Sequence, residues 1–469
     1  MAASGRHALL DALGPLTPVA GRPVRWTLEA RMAHHGVPGV SIAVIDEGRI
    51  CWAGGAGVVD RQRGTVVDEH TLFQAASMSK PVAAAAVLRA VEEGHFDLDA
   101  PVNDRLTSWR IPDNDLTRRT PVTLRHILSH TGGLTVWGFG GYPQGASLPT
   151  LPEVLSGAPP ANSPPVFVDT LPGTRERYSG GGTTIAQLAL QEAFGQPYEE
   201  ILRQLVLQPL GMQASTFAQP LPEALADRAA AGHDVDGHPI AGLWHVYPEQ
   251  AAAGLWTTAS DYARFLIGLQ RAYRGEPGAL LRPETAQDMA TVPTGGGSFG
   301  LGPKVIGRGR ARRFQHGGSN AGYICGSSAF LDGSRGVVVL TNSDAGATLA
   351  EEIIIAVATV FGWPDYLRAP RPCRALTAAD AGRYAGRYRL GAGAPFPTAE
   401  VGADGEGLWY RLGAQRPRRL LAESAERFFS PETLYDTVFR RDSGGRIRGF
   451  SVEDGERVIL NGERMDDDG

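Results

Sequence analysis

The 469-residue chain has only three cysteines, Cys51, Cys325 and Cys373, at spacings that form no pattern. That excludes a disulfide framework and a cysteine-based zinc site. No window of about 18 apolar residues occurs, which excludes a membrane-spanning helix. No long basic run occurs either, and the formal net charge is −5, which argues against nucleic acid as a partner. The opening text MAASGRHALLDALGPLTPVAG lacks a basic segment followed by an apolar stretch of signal-peptide length. Tandem repeats and low-complexity tracts are missing. These absences lead to the expectation of a cytoplasmic protein with no metal, no cofactor, and neither a nucleic-acid nor a membrane partner.

Hydrophobic residues make up 42% and charged residues 20% of the chain, the balance of a globular protein. Its 60 glycines and 33 prolines point to long, structured loops. The length exceeds one ordinary core, so two domains are expected, over 1–368 and 373–469. Residues 24–36 read as a helix, and GVSIAVIDEGRICWAGGAGVVD as a hairpin turning at Asp46-Glu47-Gly48. A helix follows at Ser77; Thr123 caps another, with Gly132-Gly133 as its stop. Eight prolines fall between Pro143 and Pro172, so 137–180 reads as a long loop, and such loops are usually functional. Helices are expected at 182–194, at 198–208 and from Ser260. Four neighbouring antiparallel strands then lie in FGLGPKVIG, RRFQHGG, GYICGSSAFLD and GVVVLTNS, closed by the helix ATLAEEIIIAVATVFG. After a proline-rich linker, PDYLRAPRPCRALTAAD, short alternating runs broken by Gly, Asp and Ser signal a small antiparallel barrel or sandwich.

The chemistry is concentrated in three short texts. In FQAASMSKPVAAAAVLRAVEEG, Lys80 stands three residues after Ser77 at the start of an apolar helix. Residues i and i+3 share a helical face, so the amine reaches the hydroxyl. A serine is a poor nucleophile until a base takes its proton. An amine does so only where its surroundings favour the neutral form, as burial and a helix N-terminus do. Tyr178-Ser179-Gly180 offers a phenol as a second base, and His316-Gly317-Gly318-Ser319 a strand whose glycines let a substrate backbone lie close and whose N–H groups face an oxyanion. Taken singly, each text also reads as a chance match, a packed loop tyrosine or a turn.

In this order and spacing the three texts resemble the S-x-x-K, Y-x-N and K-T-G elements of the serine β-lactamase and penicillin-binding-protein superfamily. LRHILSHTGGL, LQPLGM and AAAGLWTTASDYARF look like phrases of its class C-like branch. The resemblance covers about 25–362, and the stretch from about 373 is similar to the lipocalin-like barrel of some relatives. It implies an α/β fold: an antiparallel sheet flanked by helices, an all-helical subdomain, and a small antiparallel β-barrel. It also implies acyl transfer with Ser77 as nucleophile, Lys80 and Tyr178 sharing the proton work, and His316 orienting Tyr178 or protonating the leaving group. The N–H groups of Ser77 and Ser319 would hold the oxyanion, with Gly180, Gly317 and Gly318 lining the substrate site. Two departures stand out. Gly180 replaces Asn, which puts efficient β-lactam hydrolysis in doubt. His316 replaces Lys and carries only a conditional charge near neutral pH.

The expected function is therefore a serine hydrolase or acyltransferase acting on ester, amide or thioester bonds of small or peptide-like substrates, with a D-residue preference. Alternatives are a stand-alone thioesterase that macrocyclises nonribosomal peptides presented on a carrier protein, a broad carboxylesterase, and a non-enzymatic sensor or scaffold. Trp137, Tyr142, Trp244, His245 and Tyr247 are candidate pocket residues, or packing. His126, His130 and Cys325 are read as structural.

Overall fold

The computed structural model describes residues 11–465, apart from 63, 294–296, 364–365, 392–393, 395, 414 and 456. Two compact units divide the chain: residues 29–350, and 11–28 together with 351–465.

In the first unit, the apolar runs of the opening hairpin become β1 (Gly39–Asp46) and β2 (Arg49–Gly57). The four later runs become β3 (Lys304–Ile306), β4 (Arg313–Asn320), β5 (Tyr323–Phe330) and β6 (Arg335–Thr341). They form one six-stranded sheet in the order β2-β1-β6-β5-β4-β3, antiparallel throughout. Centrally placed β1 and β6 are almost wholly buried, which is why they read as continuous apolar runs.

The alanine-rich text forms α1 (Ser79–Glu92), with eleven of its residues buried. Small side chains let neighbours approach it closely. Pro81 sits where helix N–H groups lack an intrahelical partner. Other helices of this unit are α2 (Leu124–Leu128), α3 (Gly180–Phe194) and α4 (Ala259–Tyr273).

Several boundaries differ from the sequence reading. The helix expected over 24–36 spans Leu28–His35. Thr123 does cap α2, through a reciprocal bond pair with His126, but α2 stops at Leu128, with Ser129 as its C-cap, before the glycines. Pattern reading places such ends within a few residues at best. The segment expected over 198–208 is a short α-helix, Tyr198–Leu202, running into a π-helical turn, Arg203–Leu207. The proline-rich stretch contains a helix, Leu151–Ser156, and a two-residue strand, 142–143, paired with 245–246.

In the second unit eight strands close into an antiparallel barrel: β7 (Gly386–Leu390), β8 (Thr398–Asp404), β9 (Gly407–Leu412), β10 (Arg418–Ala422), β11 (Arg427–Phe429), β12 (Asp436–Arg441), β13 (Ile447–Asp454) and β14 (Arg457–Arg464). Closure comes from β7 pairing with β14. Tyr384, Tyr388, Phe428, Phe439 and Phe450 fill the interior, their rings meeting edge-on. In the same unit Arg371 donates to Glu423 through Nε and Nη2 and lies over the Phe429 ring. Among the described residues no helix is long and apolar enough to cross a membrane.

Candidate active site

The site starts from a strained turn. Ala76 has φ +50°, a left-handed conformation that costs a residue with a Cβ about 1–2 kcal/mol. A single 3-10 turn, Ala76–Met78, follows before α1 begins. Ser77 therefore precedes the α-helix rather than lying within it. Ser79 Oγ ties the turn down, donating to Ala76 O at 2.6 Å and accepting the Leu255 N–H at 3.0 Å. Ser77 itself remains partly exposed, as a nucleophile must.

Lys80 is 3% exposed. Its Nζ donates to Ser77 Oγ at 3.0 Å and to Ala252 O at 2.8 Å. The Tyr178 ring lies with its centroid 4.9 Å from Nζ. Thus the structure brings Tyr178, from a separate stretch, onto the Ser77–Lys80 pair. Ser179 caps α3 by accepting the Gly182 N–H at 2.9 Å, and its own hydroxyl donates to Thr135 O at 2.6 Å.

The third text runs along β4. His316, Gly318 and Asn320 are buried, while Gly317 and Ser319 are exposed. A Cβ on Gly318 would fall 2.3 Å from Ala75 O, so only glycine lets β4 lie against the Ser77 turn. Neighbouring β3 pairs only with Arg313–Gln315 and ends at the Lys304–Gln315 pair. From His316 onward that edge of β4 has no paired strand among the described residues. An extended substrate can add there as a further strand.

His316 Nδ1 donates to Gly317 O at 2.6 Å, since a carbonyl can only accept, and this leaves Nε2 as a buried lone pair with no partner among the described residues. Burial, reinforced by the Lys80 charge, pushes its pKa down to about 3. The charge expected to be conditional near neutral pH is therefore absent. Neutral His316 is placed to accept a hydrogen bond, not to protonate a leaving group.

Gly180 has a physical reason too. A Cβ there would meet Phe139 Cε2 and Trp137 O, each at 3.2 Å, and the Gly180 N–H donates to Trp137 O at 3.0 Å. The chain at 137–139 thus occupies the space that an asparagine side chain would need. Of the candidate pocket residues, Trp137 is 72% exposed, with its ring 5.5 Å from that of Tyr178. His245 is half-buried, bonded to Gly140 O. Tyr142, Trp244 and Tyr247 are buried: Tyr142 OH accepts from Asn162 N, Trp244 packs edge-on against Trp256, and Tyr247 OH accepts from Ala321 N. Cys325 is buried, donates to Gln74 O, and burial pushes its thiol up to about 12.

Two residues at the site are not among the candidate site residues of the sequence: His130, read there as structural, and Lys304. His130, at φ +55°, packs its ring 4.3 Å from Tyr178 and accepts the Ser179 N–H on Nδ1. Its Nε2 has no partner among the described residues, and burial holds its pKa well below the ordinary value. Lys304 lies over Phe299 at 5.4 Å, and Phe299 in turn touches His130, Tyr178 and His316. One signal was available: the chain has just two lysines, Lys80 and Lys304. The described residues also include an acidic cluster able to hold a cation, Asp234, Asp236 and His238, on an exposed turn.

The family description "Beta-lactamase" matches residues 24–360. Esterase EstB of Burkholderia gladioli is 32% identical over 350 residues, covering 65% of this chain and 86% of that protein. The structure of the octameric penicillin-binding protein homologue from Pyrococcus abyssi superposes with TM-score 0.63 at 23% identity, over 92% of this chain and 99% of that one. SurE with D-Leu superposes with TM-score 0.57 at 22% identity, over 93% and 97%. These two likenesses show the fold.

Proposed function

The chain belongs to the β-lactamase family of serine hydrolases, and from that premise we propose that Ser77 forms an acyl-enzyme with ester, amide or thioester bonds of peptide-like substrates. The observation that carries this reading is the 3.0 Å contact between Lys80 Nζ and Ser77 Oγ, under the Tyr178 ring. Oγ attacks the carbonyl carbon as its proton is taken along that contact, Lys80 and Tyr178 sharing the proton work. The C–O bond that forms is matched, on collapse, by cleavage of the bond to the leaving group, which takes the proton from Lys80 or Tyr178. The N–H groups of Ser77 and Ser319 hold the oxyanion in between. Water then attacks the acyl-enzyme and regenerates Ser77. The free edge of β4 supports an extended, peptide-like acyl group.

A second reading replaces water by the substrate's own amine, so that a carrier-bound nonribosomal peptide leaves as a ring. What favours it is the 137–139 segment packed against Gly180, with the Trp137 ring 5.5 Å from that of Tyr178, which in this reading would narrow the path of water. Both readings share the acyl-enzyme. Incubation with a fluorophosphonate, followed by intact-mass spectrometry, should show one adduct, absent in Ser77→Ala. Labelling of another serine, or of none, would return the chain to the scaffold reading.

A further inference from the structure

We propose that His130 is a positioning residue for Tyr178: it clamps the peptide on both sides of the tyrosine and so holds the phenol ring at Lys80. This rests on the serine-hydrolase reading, in which Tyr178 shares the proton work. Tyr178 lies in neither a helix nor a strand. Its place beside Lys80 is therefore set by what packs and bonds around it. The Arg177 N–H donates to His130 O at 2.7 Å, and the Ser179 N–H donates to His130 Nδ1 at 3.2 Å. One residue thus receives the N–H groups on either side of Tyr178, the first through its backbone and the second through its ring. The buried imidazole also lies against the phenol, with centroids 4.3 Å apart, and Phe299 backs it edge-on at 4.7 Å.

Three features set this clamp apart from ordinary packing. The Ser179 hydroxyl already caps α3 and is tied to Thr135 O, so the helix end is secured without His130. His130 is held at φ +55°, a conformation that persists where the surroundings over-determine it. Finally, the bonds fix a tautomer. Nδ1 accepts, so the neutral ring keeps its proton on Nε2. A second proton would sit on Nδ1, facing the Ser179 N–H, and would break the clamp. Burial and the Lys80 charge hold the His130 pKa well below the ordinary value, so the acceptor persists at neutral pH. His316, whose ring also lies near that of Tyr178, has the opposite tautomer, with Nδ1 donating to Gly317 O.

The test separates the acceptor from the ring in the full chain. His130→Phe keeps an aromatic ring and loses the acceptor. His130→Asn loses the ring but puts an oxygen where Nδ1 was, and asparagine tolerates the positive φ. With a p-nitrophenyl ester, His130→Phe should lower kcat roughly 10- to 100-fold with KM little changed, the cost of a misplaced proton-transfer group. His130→Asn should recover most of that loss. Labelling of Ser77 by a fluorophosphonate carries the double-mutant cycle: His130→Phe should slow it in the wild type and add nothing in Tyr178→Phe. An equal cost in both backgrounds, a loss confined to KM, or a His130→Asn variant no better than His130→Phe overturns the clamp. Histidine ¹⁵N spectra of the wild type need neither turnover nor a folded His130→Phe. At pH 7 they should show His130 with Nδ1 bare and Nε2 protonated, and a proton on Nδ1 also overturns it. Absence of any Ser77 adduct in the wild type overturns the hydrolase reading instead, so the two failures are separable.

Discussion

Lys80 Nζ stands 3.0 Å from Ser77 Oγ, and its second hydrogen bond, 2.8 Å long, goes to the carbonyl of Ala252. Neither partner carries a compensating negative charge, so the pair is arranged for proton exchange rather than as an ion pair. Lys80→Ala should lower the acylation rate roughly 10²- to 10⁴-fold, the usual worth of a positioned base. Stopped-flow release of p-nitrophenol from an activated ester measures it. A loss under threefold, in a variant with unchanged melting temperature, would show that another group takes the proton.

Gly180 makes a steric prediction. Phe139 and Trp137 O lie 3.2 Å from where its Cβ would be. Gly180→Asn, the change that restores the usual family motif, should therefore destabilise the protein by about 1–3 kcal/mol through overpacking. Nitrocefin turnover should stay slow or undetectable in both wild type and variant. Turnover of tens per second in Gly180→Asn would mean that the 137–139 segment moves aside easily.

Legibility in the sequence followed the range of the interaction. The Ser77–Lys80 pair, the Thr123 cap and the strand runs β3 to β6 depend on residues at most four apart, and local periodicity exposes them. The short alternating runs of a small barrel or sandwich were legible for the same reason, but the strand Thr398–Asp404 and the closure of β7 onto β14 were not. His130 was read as structural because its partner, Ser179, is 49 residues away and nothing local announces the ring contact with Tyr178. The left-handed turn at Ala76 is forced by β4 and Ser79 from outside, against alanine's own preference. The strand at 142–143 exists only because 245–246 lies beside it.

Buried titrating groups set the pH dependence of stability. Folded His316 holds a second proton only below about pH 3, and an unfolded histidine below about 6.5. Unfolding between these values takes up a proton. The stabilisation is complete above about pH 6.5 and is lost as pH falls toward 3, by about 1.4 kcal/mol per pH unit. His130, buried and depressed in the same direction, adds to the slope. Urea melts from pH 7 to 4.5 should show this loss. A flat profile would mean that the two imidazoles are solvated.

Glu249 acts with the opposite sign. Its carboxylate is buried, neither oxygen has a hydrogen-bond partner among the described residues, and burial pushes its pKa up to about 7. An unfolded glutamate ionises near 4.3. Its contribution is therefore complete below about 4.3 and lost as pH rises through 7. Glu249→Gln should raise stability at pH 8 by on the order of 2–3 kcal/mol and steepen the acid loss that Glu249 partly offsets. Destabilisation at pH 8 would reveal a cationic or donor partner for this carboxylate.

The choice of acyl acceptor separates the two functional readings. Trp137 is 72% exposed with its ring 5.5 Å from that of Tyr178, and in the cyclase reading it narrows the approach of water to the acyl-enzyme. A peptide amine held there competes at a high effective concentration, while water has only its bulk activity and a narrowed path. A linear peptide thioester with a free N-terminus and a D-residue at the acyl end should then yield mostly ring. Mass spectrometry gives the ratio of ring to acid. Trp137→Ala should move that ratio toward acid without abolishing acylation, because it acts after the acyl-enzyme forms. Lys80→Ala and Tyr178→Phe should remove both products together, because they act before the branch. If only acid forms, at equal rates for L and D acyl residues and with any added amine, the cyclase reading is eliminated and the protein is a broad carboxylesterase.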